Sequence, residues 1–171
     1  MSCMNKKIIS IDPGWSGAMA VFENGYLKRT HKCQPTSRET YELVWKDLHE
    51  ANIAILEWVH SMPGQGVVST FKFGYNYGMW QGFLAAVLKE TYLVSPQTWQ
   101  KGWTNVPKVK KDRKKYFKQR ANELSEIALS PEHNDMAQWY EKVKITNYNA
   151  DAICIGQWYI NTKYPVVKEA K

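Results

Sequence analysis

The chain has 171 residues, a formal net charge of +7 and a hydrophobic content of 44%, which together favour a folded, basic protein over a disordered one. No apolar run approaches the roughly 20 residues of a membrane span, and no long apolar stretch follows Lys6 and Lys7 as it would in a secretory leader. Cys3, Cys33 and Cys154 are odd in number and widely spaced, which is typical of a protein in a reducing cytosol.

The first third of the chain predicts three antiparallel strands. In KKIISIDPGWSG, residues 6–17, three isoleucines alternate with other residues and the run ends at Asp12, so residues 7–12 are expected to form a buried strand. Asn24 and Gly25 then separate two apolar runs in AMAVFENGYLKRT, a pattern typical of a tight hairpin.

Helices and strands alternate along the middle of the chain. Apolar residues recur at helical spacing in residues 38–50, and the run NIAILEW predicts a fourth strand that ends at Glu57. SMPGQG follows and predicts a loop by its proline and glycine content. Residues 69–89 are expected to form a second helix, and TYLVSP predicts a fifth strand that ends at Pro96.

The last third of the chain predicts two helices. Residues 109–128 suit a basic helix with one apolar side, and residues 150–160, ADAICIGQWYI, suit a helix that is largely buried. The predicted order is β-β-β-α-β-α-β-α-α. We therefore expect an α/β fold, in which a five-stranded mixed sheet with its first three strands antiparallel is flanked by helices.

The net charge is concentrated in one segment. Residues 108–120 contain eight Lys or Arg residues and one acid, whereas the rest of the chain has 15 of each. A neutral protein with one cationic helix suits a polyanionic partner such as DNA. The candidate phosphate contacts are Lys108, Lys110, Lys111, Lys114, Lys115 and Lys118. The alternative is a solvated surface helix, which is what most charged runs form.

Three acids lie at the ends of strongly apolar elements: Asp12 ends the first strand, Glu57 ends the fourth, and Asp151 begins the last helix. A buried carboxylate is costly unless it is paired or binds a metal, and divalent cations cancel the repulsion between clustered acids. Each acid also has a simpler explanation. Asp-Pro-Gly is a common turn, Glu57 could face water, and Asp151 suits the positive first turn of a helix.

Several motifs follow one another in a distinctive order. They are IDPG, the strand-end Glu57 before VHSMPGQG, FKFGYNYGMWQGFLAA, VSPQTWQK, a basic helix and ADAICIG. Together they resemble the RuvC-type Holliday junction resolvases, and the phage-borne branch above all, over about residues 6–160. The resemblance implies a single nuclease domain of the RNase H-like fold across residues 1–171, with a core at about 6–160 and a short C-terminal tail.

This resemblance also implies an activity. The protein would be a metal-dependent endodeoxyribonuclease that cleaves Holliday junctions and other branched DNA, with forks and flaps as possible substrates, by two-metal phosphodiester hydrolysis. Asp12, Glu57 and Asp151 would be the catalytic metal ligands for Mg²⁺ or Mn²⁺, two ions per active site. If the protein is phage-encoded, its location would be the cytosol of the bacterial host.

The resemblance further implies a homodimer, which would place two active sites for symmetric cleavage of opposing strands. Gly74, Gly78 and Gly82 recur every four residues and would form a smooth helix face near the two-fold axis. The alternative is that this face packs on the sheet of its own chain.

One position departs from the family pattern. The family has a further acid three or four residues before the last Asp, where TNYNAD places Asn147. We align Asn147 with that catalytic acid and take Asn149 as a helix cap, with the reverse assignment left open. An Asn oxygen can ligate a metal but adds no charge. Three explanations follow: weak natural activity, replacement by Asp135 or Glu141, or a deliberate Asp-to-Asn change.

The segment after the loop suggests a second DNA contact. It contains Phe71, Lys72 and Phe73, and in the related resolvases this region reaches the junction centre, where an aromatic ring can stack on a base. We expect Phe71 to face outward and Phe73 inward, although both could be core residues. His60 is expected to be structural rather than a general base.

Three other functions stay open. A branched-DNA-binding protein without cleavage is the main alternative, on account of Asn147. An ATP-binding protein of the actin and sugar-kinase fold also begins with a strand-end Asp near a Gly, but it needs two such domains, which 171 residues cannot supply. An RNA-cleaving enzyme of the same fold is chemically possible.

Overall fold

The computed structural model describes residues 6–61, 64, 66–87 and 90–164. Cys3, residues 62, 63 and 65 of the predicted loop, residues 88 and 89 and residues 165–171 of the predicted C-terminal tail lie outside this range. The tail was expected to begin after about residue 160, but α5 continues to Lys163. The elements in chain order are β1 (Lys7–Asp12), β2 (Ala18–Glu23), β3 (Tyr26–Lys32), α1 (Ser37–Glu50), β4 (Ile53–Glu57), α2 (Val67–Val87), β5 (Thr91–Val94), α3 (Pro96–Lys101), α4 (Lys110–Leu129), a 3₁₀ turn (Ala137–Trp139) and α5 (Ala150–Lys163).

The five strands form one mixed sheet in the order β3-β2-β1-β4-β5. β1, β2 and β3 pair antiparallel, whereas β4 runs parallel to both β1 and β5. This arrangement confirms the predicted five-stranded sheet with three antiparallel strands first.

The hairpin between β2 and β3 has the predicted turn. Asn24 and Gly25 both have positive φ angles, 56° and 90°. Positive φ at both central residues is characteristic of a type I′ turn, whose twist matches that of the flanking strands. The Asn-Gly pair therefore fixes this connection locally.

Each face of the sheet has its own hydrophobic core. Ile8 packs on the face covered by α4 and α5, whereas Ile9 and Ile11 pack on the face covered by α1 and α2. The alternation of the isoleucines in β1 thus distributes them over both cores, because successive strand residues point to opposite faces. Both faces of the central strand are consequently buried.

One helix was not predicted. The fifth strand was expected to end at Pro96. In the structure β5 ends at Val94, and Pro96 begins α3. Proline suits the first position of a helix, and the Ser95 hydroxyl accepts a hydrogen bond from the Thr98 amide as the cap. No helix in the described part of the chain has the length and apolarity needed to cross a membrane.

Candidate active site

Asp12 and Glu57 end neighbouring parallel strands. In the register of β1 and β4, Ile11 is opposite Leu56, so the next residues along the two strands are Asp12 and Glu57. Because parallel strands end at the same edge of a sheet, the two carboxylates lie at one edge even though 45 positions separate them in the sequence.

Close packing of α5 on the sheet brings Asp151 to the same region. The Ser10 hydroxyl in β1 donates a hydrogen bond of 2.7 Å to the Ala152 carbonyl oxygen. Further along α5, a Cβ at Gly156 would lie 2.3 Å from the Phe22 ring and 2.5 Å from the Ser10 Oγ. Any side chain at Gly156 would therefore push the helix, and Asp151 with it, away from β1.

The three acids act on one another electrostatically. The pKa of Glu57 is raised to about 8, first by burial and next by the charge of Asp12, with a further contribution from Asp151. Burial and then the charge of Asp12 raise the pKa of Asp151 to about 6. Burial also raises the pKa of Asp12. The acids that the sequence places far apart are thus close enough to repel each other.

Specific donors hold one oxygen of each strand-end acid. The Gly14 amide donates to Asp12 Oδ1 at 2.9 Å, and the Trp99 indole Nε1 donates to Glu57 Oε1 at 2.7 Å. Within the described residues, the second oxygen of each carboxylate has no hydrogen-bond partner. Burial raises the pKa of both Asp12 and Asp151, and the positive charge of Lys114 reduces this rise without abolishing it.

Two of the acids line a small cavity of about 120 Å³, which we call the acid cavity. Its lining residues are Asp12, Ser16, Lys114, Asn147, Ala150 and Asp151. Asn147 therefore lies beside the acids, where the alignment with the missing family acid puts it. Asp135 and Glu141 are exposed and do not line this cavity, so neither takes the place of that acid here.

Asn149 has a structural role that differs from the expected one. It occupies the N-cap position of α5, but its side chain makes no capping hydrogen bond. Instead its Oδ1 accepts from the Thr146 amide at 2.8 Å, and its Nδ2 donates to Thr30 Oγ1 and the Lys144 carbonyl oxygen, both at 3.0 Å. Asn149 thus ties the loop before α5 to β3.

The side chains of the three acids are not arranged as a complete metal-binding site within the described residues. Across residues 6–61, 64, 66–87 and 90–164, no group of three or more His, Cys, Asp or Glu side chains is arranged to hold a metal ion. The donor set nevertheless suits a hard divalent cation, since it consists of repelling carboxylates with unpartnered oxygens. Side-chain reorientation would be needed to bring those oxygens together.

The predicted basic helix is α4, and most of its lysines face solvent. Lys110, Lys111, Lys114 and Lys115 are exposed, as is Lys108 just before the helix. Lys118, which was also expected to be an exposed phosphate contact, is only partly exposed. Lys114 also differs from its neighbours, since it lines the acid cavity rather than only the outer surface.

The aromatic segment lies on α2, within the helix that the sequence predicts over residues 69–89. Phe71 is 75% exposed and Phe73 is half-buried, so Phe71 faces outward as expected. Phe71 and Lys72 border an open cleft with the exposed ring of Trp15, and Lys72 Nζ lies 5.3 Å from the centre of that ring.

Two other sequence features have clear positions. His60 is exposed, and its ring centre lies 6.5 Å from that of Trp58.

A Cβ built at Gly74, Gly78 or Gly82 would meet no atom within 4 Å, so this face of α2 is not packed against the described residues of its own sheet.

Sequence reasoning missed Trp99, Ser16 and Trp15. Trp99 was missed because α3 was not predicted, although Ser-Pro before a polar run is a helix-start pattern that could have indicated it. Ser16 and Trp15 follow the Asp-Pro-Gly turn, and the sequence does not reveal which residues of a turn face a neighbouring helix.

Comparison with known proteins establishes the fold. No protein-family model matches the sequence, and no curated protein matches it. Thermus thermophilus RuvC in complex with a Holliday junction substrate is similar in structure, with 13% sequence identity and a TM-score of 0.53 over 93% of this chain and 97% of that one. A further Thermus thermophilus RuvC structure has 16% identity and a TM-score of 0.52 over 92% and 95%. The chain has the RuvC-like, RNase H-like fold.

Proposed function

We propose that the chain is a metal-dependent, structure-selective endodeoxyribonuclease that cleaves four-way junctions and other branched DNA. The observation that carries this proposal is the convergence of three acids at one edge of the sheet: Asp12 and Glu57 end neighbouring parallel strands, and Asp151 lines the same cavity as Asp12. The shared fold adds support, since Thermus thermophilus RuvC has been solved with a Holliday junction substrate.

The three carboxylates would hold Mg²⁺ or Mn²⁺, with two ions per site. Bound ions of this kind supply a hydroxide from water and neutralise charge at the reacting phosphate. Gly14 and Trp99 each fix one oxygen of a carboxylate and so leave the other for ligation. Asn147 would add a neutral oxygen at the fourth position.

The cationic residues would position the DNA. Lys114 lies beside Asp12 and Asp151, where its ammonium is suited to hold the scissile phosphate. The exposed lysines along α4 would bind neighbouring phosphates through charge, without reading sequence. Phe71 is suited to stack on a base exposed at the branch point, since its ring is open to solvent.

The active form would be a homodimer. The glycine face of α2 is open, and a second copy could approach its backbone closely there. Light scattering of the wild-type protein is expected to give the mass of a dimer, and Gly78→Leu to shift it toward a monomer. A monomeric wild-type protein would contradict this part of the proposal.

A cleavage assay on a labelled four-way junction tests the proposal. We expect paired nicks with Mg²⁺ or Mn²⁺, no cleavage with a chelator, and little cleavage of a linear duplex of the same sequence. Asp151→Asn should be inactive, whereas Asp135→Asn, at an exposed acid outside the acid cavity, should retain activity. Absence of cleavage with either metal would refute the enzymatic proposal.

The position of Asn147 in the acid cavity favours one second candidate, a branched-DNA-binding protein with weak or lost cleavage. Tight junction binding without turnover in Mn²⁺ would support that candidate. Asn147→Asp is then expected to restore cleavage and raise metal affinity. If this substitution changes neither, Asn147 does not correspond to the missing acid.

A further inference from the structure

A second cavity of about 340 Å³ lies between the segment that follows β4, the helices α2 and α3 and the start of α4. Its walls include His60, Phe73, Gln97, Gln100 and Arg113, and we call it the amide cavity after its two glutamines. Its volume is at the lower end of the range of about 300–1,000 Å³ that small-molecule sites occupy. The cavity therefore has room for a group of the size of a nucleotide base.

Three of the segments that line the amide cavity also contribute residues to the candidate active site. Val59 lies two residues after Glu57. On α3, Gln97 lies two residues before Trp99 and Gln100 directly after it, and the Trp99 indole donates a hydrogen bond to Glu57. On α4, Arg113 directly precedes Lys114, which lines the acid cavity. The segment after β4, the helix α3 and the N-terminal part of α4 therefore contribute residues both to the amide cavity and to the candidate active site.

The polar groups in this cavity have defined orientations. Arg113 Nη1 donates to Gln100 Oε1 at 3.2 Å, while its Nε and Nη2 donate to the carbonyl oxygens of Pro107 and Lys108. A guanidinium has only donors, so Gln100 must present its oxygen to Arg113. The Gln100 amide nitrogen then remains available as a donor. Gln97 is exposed, and its side chain makes no hydrogen bond with another described residue.

We propose that the amide cavity holds one unstacked base of the cleaved strand, next to the scissile phosphate. Gln100 donates to a carbonyl oxygen or ring nitrogen on the edge of that base, and the ring of Phe73 supplies a surface for its face. Glutamine amides pair with base edges, aromatic rings stack on bases, and the lysines of α4 can bind the adjoining phosphates. This inference rests on the proposed nuclease function and adds a sequence preference to it.

Arg113 is a positioning residue in this scheme, because it contacts Gln100 and the backbone rather than the base. Arg113→Lys should weaken the base preference while a base still enters the cavity. A purely structural role would instead lower cleavage of all junctions equally.

The decisive variant is Gln100→Glu. It keeps an oxygen for Arg113 but replaces the donor with an acceptor. Single-turnover rates are measured on four junctions that differ only in the base beside the cut. The wild type is expected to prefer one base by at least about fivefold, and Gln100→Glu to reduce that preference to less than about twofold. Gln138→Glu, an equal charge change in the exposed 3₁₀ turn, should keep the wild-type preference.

A second measurement does not depend on cleavage. With 2-aminopurine beside the cut and Asp151→Asn present to block turnover, binding should raise the fluorescence as the base leaves the stack. Gln97→Ala and Gln100→Glu should each reduce that rise. Equal rates on all four junctions, or binding without a fluorescence change, overturns the inference even if the protein is a nuclease. Junctions that are bound with the fluorescence rise but never cut would support the cavity and refute the nuclease. An equal loss of preference in Gln138→Glu would also overturn it.

Discussion

Buried carboxylates lie near both ends of β1, and their pKa values are shifted in opposite directions. Near Lys7, the first residue of β1, Asp47 is 3% exposed and accepts hydrogen bonds from Arg29 Nε at 2.9 Å and from His31 Nε2 at 2.7 Å. Burial would raise the pKa of Asp47, but the hydrogen bonds from His31 and Arg29 hold it well below its ordinary value. At the other end, the pKa of Glu57 is raised to about 8.

The difference separates a structural acid from an acid that is suited to bind a cation. Asp47 is neutralised by side chains of its own chain, including Lys7 Nζ at 3.3 Å. Asp12 and Glu57 have instead an amide and an indole as donors, which orient one oxygen without cancelling its charge. A buried acid whose charge is not balanced lowers the stability of the folded protein. Such an acid therefore favours a function in which a bound cation supplies the balancing positive charge.

Asp12→Asn tests the functional end and should have the largest effect. Loss of a catalytic metal ligand is expected to lower junction cleavage by about 10³-fold or more. The metal-free variant should be at least as stable as the wild type in urea, because the repulsion between Asp12 and Glu57 is removed. A variant that is both active and destabilised would reverse the assignment of this acid.

Asp47→Asn tests the structural end. Removing one partner of a buried ion pair leaves the cations unpaired, so we expect a loss of about 3 kcal/mol in the free energy of unfolding, measured in urea. Cleavage by the folded fraction should be unchanged. Glu42→Gln, which breaks the exposed pair with Arg38, is the control and should change stability by less than about 0.5 kcal/mol.

The stability of the metal-free protein should depend on pH in opposite directions at the two ends. The pKa of Glu57 is raised from 4.5 to about 8, so the folded state binds more protons than the unfolded state between these values, and stability falls as the pH rises through them. The pKa of Asp47 is lowered from 3.8, so its contribution is lost as the pH falls below that value.

Urea unfolding at a series of pH values, with a chelator present, measures both effects. Each group can contribute a slope of at most about 1.4 kcal/mol per pH unit. Glu57→Gln should flatten the curve between pH 4.5 and about 8, and Asp47→Asn should flatten it below pH 3.8. Stability that stays constant between the two pKa values of Glu57 would contradict the raised pKa.

The smallest expected effect distinguishes two adjacent lysines. Lys115→Gln removes an exposed phosphate contact, so junction affinity should fall severalfold and the slope of log affinity against log salt should decrease by about 0.9. Lys114→Gln should reduce cleavage more than binding, because Lys114 lies in the acid cavity. Equal effects of the two substitutions on binding and cleavage would place both lysines in the same role.

Much of the fold could be predicted from local patterns. The alternation of isoleucines indicated β1, and Asn24-Gly25 indicated the hairpin, because strand pleating and positive φ angles are properties of a few adjacent residues. The apolar periodicity of α4 likewise placed its buried side. The helix at Pro96 was missed because proline can follow a strand or begin a helix, and the two patterns are alike.

The sequence by itself determined the elements and the residue types, including an acid at the end of β1, at the end of β4 and at the start of α5. Only the tertiary structure decided that these acids repel one another, that Trp99 holds Glu57 and that Lys114 lies beside Asp12 and Asp151. The physical reason is the separation along the chain of the residues that interact. Propensities and turns depend on neighbours in the chain, whereas burial and charge interactions depend on which elements the sheet order and the close packing of Gly156 bring together.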